Sequence, residues 1–374
     1  MFSVRLPAEI SPSSLAREIE EARAAGGELL DLTQSNPTRA GFAYPAEILD
    51  AFRDPRSLVY DPDSLGLDEV RRQVSAHRVV LTSSTSEAYA WLFKLLCNPG
   101  DEVLIPRPSY PLFELLAGLE CVQTRTYPLR YHEGWFIDLD DLRAAITPRT
   151  RAIVVVNPNN PTGNYLKAFE YEELARLNLP IISDEVFTDY TFGAAPYSVA
   201  GSGEALTFVL NGLSKSAGLP QMKLGWIILS GPERLVEEAA HRLELIADTY
   251  LSVGTPVQYA FSSLVASGRS MRAEIHRRLQ SNLDYLRNAV KGSSASLLDA
   301  EAGWSAILRI PNTRSEEEWV KLLLRNCHTL VQPGYFYDFE SDGWLVISLL
   351  TPEPVLRSAV PRVIHELELP ASAF

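Results

Sequence analysis

From residue 78 onward, short apolar runs alternate with stretches whose apolar residues recur at helical spacing. The runs Val79–Leu81, Glu102–Ile105, Val122–Tyr127, Ala152–Val156, Pro180–Ser183, Leu206–Leu210 and Leu224–Leu229 predict seven strands. Between them, Glu87–Leu96, Pro111–Gly118, Leu139–Ala145 and Phe169–Arg176 predict helices. Nearly continuous apolar strands separated by helices imply a mostly parallel seven-stranded sheet covered on both faces, an α/β fold. Ligands of such sheets sit beyond the carboxyl ends of the strands. After Gly231 the pattern turns helical, over Pro232–Asp248, Pro256–Ala266 and a long stretch Arg272–Val290. Strands near Ala306–Ile310, Thr329–Gln332 and Trp344–Leu349 then predict a second, smaller α/β unit. Ahead of the large unit come a helix, Ser13–Ala25, a strand, Glu28–Leu32, and a polar loop, Thr33–Gly41. The expected organisation is an N-terminal segment, 1–46, packing with the small domain; a large domain, 47–275; and a small C-terminal domain, 276–374.

Composition narrows the classes. A chain of 374 residues, 46% apolar, buries a sizeable core, enough for two domains. The formal net charge of −13 argues against nucleic acid and anionic membranes as partners. Cys97, Cys121 and Cys327 lack paired spacing, which reads as reduced thiols in a cytoplasmic setting. The stretch Met1–Leu15 has no apolar core behind a basic patch, so no secretion signal is read there, and no apolar run reaches membrane-spanning length.

The chemistry gathers at strand ends. After the run Leu206–Leu210, Asn211-Gly212 breaks the strand and Lys215 follows among small residues. A lysine there can form a Schiff base with a carbonyl held beside it. Lys223, eight residues on, is a second cation; the pair matches what pyridoxal phosphate needs, although two solvated loop lysines account for such a pair taken alone. Leu81-Thr-Ser-Ser-Thr-Ser-Glu87 links a strand to a helix whose first N–H groups and hydroxyls, with Ser84 and Thr85 among them, can hold a phosphate; ordinary helix capping accounts for it equally well. Tyr110, ending Pro106-Arg-Pro-Ser-Tyr-Pro111, can stack on an aromatic ring or pack as a loop tyrosine. Asn157-Pro-Asn-Asn-Pro-Thr-Gly163 is more specific, because two Asn-Pro units and a glycine lock a turn that carries Asn160. Asp184, at the end of a buried strand, costs several kcal/mol if charged and unpaired, and a protonated pyridine nitrogen would resolve that cost.

Together these motifs, in this order, resemble the class I/II aminotransferases of the aspartate aminotransferase fold type, fold type I among pyridoxal-phosphate enzymes. The resemblance spans Thr33 to about Leu350. It implies that Lys215 is the Schiff-base and proton-carrying lysine, Asp184 the partner of the pyridinium, and Asn160 the amide on the cofactor's phenolic oxygen. It further implies Tyr110 on the ring, Ser84 and Thr85 in the phosphate loop, and Lys223 as the phosphate-holding cation. Tyr60 matches the tyrosine lent across a homodimer. Three positions depart from the pattern. Phe187 stands where a tyrosine is usual, Lys223 where an arginine is usual, and Val346 where the arginine gripping the substrate carboxylate is usual. Either the amino substrate lacks that carboxylate or another cation takes over the grip; Arg39, in the polar loop, is the candidate for the second case, and reads equally well as a solvated loop arginine. The expected function is transamination between an amino donor and a keto acceptor. The alternatives are a lyase or other carbanion chemistry on the same fold, and a non-catalytic pyridoxal-phosphate sensor.

Overall fold

A computed structural model of the chain describes residues 3–7, 11–24, 26–193 and 197–369. Ala25, the predicted end of the first helix, lies outside these, as do 1–2, 8–10, 194–196 and 370–374. Along the chain, β1 (Leu30–Asp31) is followed by β2 (Arg78–Thr82), β3 (Glu102–Arg107), β4 (Gln123–Tyr131) and β5 (Trp135–Ile137). Next come β6 (Thr150–Val156), β7 (Ile181–Asp184), β8 (Thr207–Gly212) and β9 (Gly225–Ser230). Strands β2 to β9 form one sheet in the order β2-β9-β8-β7-β6-β3-β4-β5. Pairing is parallel from β8 through β7, β6 and β3 to β4, while β9 runs against β2 and β8, and β5 against β4. All seven predicted strands are present, and β5 makes the sheet eight-stranded. Three residues closing a hairpin are too few to display a period in the sequence.

Alternation along each strand divides its side chains between two cores. Leu104, Ile153, Val155, Ile181 and Val209 join one cluster; Val103, Ile105, Ala152, Val154, Ile182, Phe208 and Leu210 join another on the opposite face. Both faces are covered, so the central strands read as continuous apolar runs.

The predicted helices Pro256–Ala266 and Arg272–Val290 are instead a short helix, Thr255–Tyr259, and one of 29 residues, Phe261–Ala289. Gly268 does not end a helix. A Cβ there would stand 2.4 Å from Cβ of Ala217, so the glycine serves close packing against the segment that follows Lys215. This helix also passes from one core to another: Phe261 and Leu264 sit under the large sheet, whereas Met271, Ile275, Leu279, Leu283 and Leu286 pack with Leu32, Trp304 and Ile347.

Beyond it lie β10 (Ser296–Leu297), β11 (Ser305–Arg309), β12 (Thr329–Leu330), β13 (Gln332–Pro333) and β14 (Trp344–Ser348). Four of them make an antiparallel sheet in the order β10-β11-β14-β13, and β12 pairs in parallel with β1. The N-terminal segment is therefore tied to the last third of the chain. Ser348 N–H donates to Leu32 O at 2.7 Å, and Arg325 of the helix Glu316–Cys327 pairs with Glu18 of the helix Ser14–Ala24 at 2.7 Å. No described helix is long and apolar enough to cross a membrane.

Candidate active site

At the carboxyl ends of the central strands, a cavity of about 350 Å³ opens between the large sheet, the small sheet and the N-terminal loop. Lys215 lies on its floor. Gly212 pairs with Gly225 where β8 ends and β9 begins, and a Cβ on Gly212 would fall 2.9 Å from Cα of Gly225, so two glycines let the strands close up there. One helical turn, Leu213–Ser216, then presents the lysine, and Tyr190 Oη donates to its backbone carbonyl at 2.5 Å. Lys215 Nζ stands 4.5 Å from the ring centre of Trp304 and 5.6 Å from that of Phe187. Burial disfavours the ammonium and brings its pKa down to about 8, the Asp184 charge opposing part of the fall.

Asp184 ends β7 in the same cavity, 9% exposed. Burial pushes its carboxyl up to about 6; a backbone N–H from Val186, 3.3 Å from Oδ1, and the Tyr89 hydroxyl, 3.1 Å from Oδ2, hold the rise back. Desolvation thus moves the amine and the carboxyl toward each other in pKa.

The heptad after β6 divides its asparagines by task. Asn157 accepts from Leu166 N–H at 2.9 Å and donates to Tyr197 O at 2.9 Å; Asn159 donates to Pro108 O at 3.0 Å and accepts from Ser109 Oγ at 3.1 Å. With the turn held by these two, Asn160 lines the cavity, its Oδ1 accepting from Ser305 Oγ at 3.1 Å. Ser84 caps the helix Thr85–Leu96 by accepting from Glu87 N–H at 3.2 Å. Thr85 and Ser86, in the first turn of that helix, line the cavity, and their N–H groups have no intrahelical acceptor. Tyr110 lines it from the loop after β3, half exposed.

The structure therefore brings Lys215, Asp184, Asn160, Tyr110 and Thr85 to one lining, with Ser84 directly behind it. It does not bring Lys223, Tyr60 or Arg39 there. Lys223 is exposed in a left-handed turn, φ 52°, two residues before Gly225, whose missing side chain leaves room 3.4 Å from the Ser84 backbone. Tyr60 is 80% exposed at a separate groove, and Arg39 is exposed at the end of the one-turn helix Pro37–Arg39. Sequence reasoning missed Tyr89 and Trp304. Tyr89 was within reach, since it lies four residues past Thr85 and so on the same helix face; no local pattern marks Trp304.

These donors fit pyridoxal phosphate. A depressed amine suits its carbonyl, a buried carboxylate its ring nitrogen, and a capped helix start with two hydroxyl residues its phosphate. A sheet of this order, with a lysine past β8 and an acid ending β7, defines the fold type I aminotransferases. The chain belongs to the family of class I and II aminotransferases, whose model matches residues 63–363. It is 34% identical over 275 residues to the glutamate-pyruvate aminotransferase AlaA of Escherichia coli K12, spanning 68% of this chain and 67% of the relative. It is 28% identical over 358 residues to an alanine aminotransferase of Mycobacterium tuberculosis H37Rv, spanning 89% and 78%. The solved alanine aminotransferase of Pyrococcus furiosus superposes with a TM-score of 0.87 at 25% identity, covering 98% of this chain and 100% of that one. The protein is a pyridoxal-phosphate-dependent aminotransferase, and its substrates are small amino and keto compounds. The lyase and sensor alternatives find no support among these relatives.

Proposed function

We propose that transamination is carried by Lys215 and Asp184, whose opposite pKa displacements in one cavity are the observation that supports this assignment. Bound pyridoxal phosphate supplies an electron sink for negative charge at the substrate carbon. Lys215 Nζ, with a sizeable neutral fraction near pH 8, would hold the cofactor at its carbonyl and serve as the base that takes up and returns the proton of the substrate carbon. Asp184, ionised above about pH 6, would hold the proton on the ring nitrogen. Asn160 would hold the phenolic oxygen, Thr85 and Ser86 the phosphate, and Tyr110 the ring. Ser84 would support the phosphate site by capping the helix that begins at Thr85. Trp304 and Phe187 keep water away from Lys215.

The relatives are named for alanine, glutamate and pyruvate. We carry their reaction to this chain and not those substrates, because the cavity wall that would face a substrate carboxylate is neutral here. We further infer a homodimer in the cytoplasm. Leu58, Val59 and Tyr60 stand exposed beside the groove of about 290 Å³ that Tyr60 lines, an apolar surface suited to a second copy. The three cysteines are free thiols. The domain boundary is assigned to the long helix, where its contacts change cores after Leu264.

The test is Lys215→Ala. Borohydride should fix the cofactor covalently to the wild type and not to the variant, and turnover should vanish. Full labelling of the variant would move the anchor to another lysine.

A further inference from the structure

We propose that the reacting carbon of the amino substrate carries no carboxylate, so that the substrate is a primary amine with an apolar substituent. The proposal rests on the transaminase reading of the cavity and deepens it. Among the described residues lining the cavity, Lys215 is the one cation and Asp184 the one carboxylate, and the cofactor engages both. The opposite wall comes from the N-terminal loop, β11, β13 and β14, as Thr33, Ser35, Ser305, Gln332 and Ser348, all neutral. Several of these are already engaged. The Ser348 hydroxyl donates to Gln34 O, Gln332 Oε1 accepts from the Tyr337 hydroxyl, and the Ser305 hydroxyl donates to Asn160.

On β14, Val346 shares a strand face with Ser348 two residues on, and it pairs across the sheet with both Gln332 and Ile307. That position thus lies beside two residues of the cavity lining, Gln332 across the sheet and Ser348 along the strand. The residue there is a valine, 1% exposed. Arg39 is exposed and away from the lining. Leu112, Phe113, Leu116, Val186 and Trp304 supply the rest of the wall. A carboxylate stripped of water there meets no further charge from this chain, whereas a hydrocarbon substituent gains by burial.

In the half-reaction the amine carbon loses two electrons to the cofactor and its nitrogen stays on the cofactor. One water enters, and its oxygen leaves in the aldehyde or ketone product. Lys215 Nζ carries the proton lost from the reacting carbon. A second carbonyl compound removes the nitrogen and restores the starting form.

The experiment follows the holoenzyme spectrum as pyridoxal converts to pyridoxamine, with phenylalanine against phenethylamine, leucine against isoamylamine and alanine against ethylamine. We expect the amine of at least one pair to react about 100-fold faster than its acid. We also expect that amine to bind Lys215→Ala holoenzyme more tightly than the acid by calorimetry. Val346→Arg should swing the preference toward the acid by a similar factor. Gln332→Arg, at the cross-strand position, gives the same reading if Val346→Arg does not fold. Acids that react as fast as their amines overturn the inference and leave transamination standing. A holoenzyme that none of these compounds converts or binds overturns the transaminase reading with it.

Discussion

Replacing Tyr89 by Phe isolates one term in the tuning of Asp184. The tyrosine hydroxyl donates to Asp184 Oδ2 at 3.1 Å inside the core, while its ring packs edge-on against Phe113 at 5.2 Å. Phe keeps the ring contact and removes the donor alone. A hydrogen bond to a charged group contributes about 1.5–3 kcal/mol. At about 1.4 kcal/mol per pKa unit, its loss lifts the carboxyl by about one to two units. The Asp184 carboxyl, pushed up to about 6 in the native protein, should then titrate between about 7 and 8 in the apo variant. The sign for stability follows. The folded chain binds this proton more tightly than the unfolded chain, so stability falls as pH rises from the unfolded pKa near 4 to the folded one. In the variant that fall continues through neutrality, so apo Tyr89→Phe should match apo wild type near pH 4 and lag behind it near pH 8. Infrared titration of the protonated carboxyl, with urea unfolding at both pH values, checks the two statements. A midpoint that stays within about half a unit of the native one, or moves down, would refute the account of how Tyr89 acts.

Incorporation of pyridoxal phosphate into the apoprotein requires the neutral Lys215 amine, so its rate should rise with pH to a midpoint near 8 rather than 10.5; a midpoint above about 10 would contradict the desolvation of Lys215. A Tyr60→Phe chain mixed with a Lys215→Ala chain should form hybrids with one site in which both groups are intact. Turnover per remaining lysine should then exceed that of pure Tyr60→Phe, and no gain would confine each site to a single chain. Gly268→Ala, which usually stabilises a helix by about 0.5–1 kcal/mol, should here cost about 1–3 kcal/mol in denaturant unfolding, because its Cβ meets Ala217. A more stable variant would show that the contact relaxes freely.

Much of this arrangement was legible before any coordinates because strand ends are short-range objects. A buried run that stops at Asn211-Gly212, or at Asp184, announces its own terminus, and the polar residues past it fall at one edge of a parallel sheet. What escaped was whatever depends on a partner far along the chain. Gly268 falls between two predicted helices, and its packing role shows only once Ala217 is seen against it. Trp304 has no local signature, since its meaning lies in the ring it sets 4.5 Å from Lys215 Nζ. Arg39 reads as a substrate grip from its loop, but Thr33 and Ser35 of that loop are the ones that line the cavity. Lys223 was read from spacing to Lys215, which counts residues and not the direction of a left-handed turn.

The pairing of β1 with β12 also orders events in time. Leu30 leaves the ribosome roughly 300 residues before Thr329, its ladder partner, which at about 5–20 residues per second is a wait of some 15–60 s. The N-terminal strand spends that interval without its neighbour. The large sheet, in contrast, is complete once Ser230 has emerged, and Lys215, Asp184, Asn160, Tyr110 and Thr85 all precede that point. The wall that holds the cofactor can thus assemble on the nascent chain, while the wall that selects the substrate, ending at Ser348, closes only when synthesis is nearly done. A pause between these two points would leave the residues proposed to hold the cofactor already made and the wall proposed to select the substrate still incomplete.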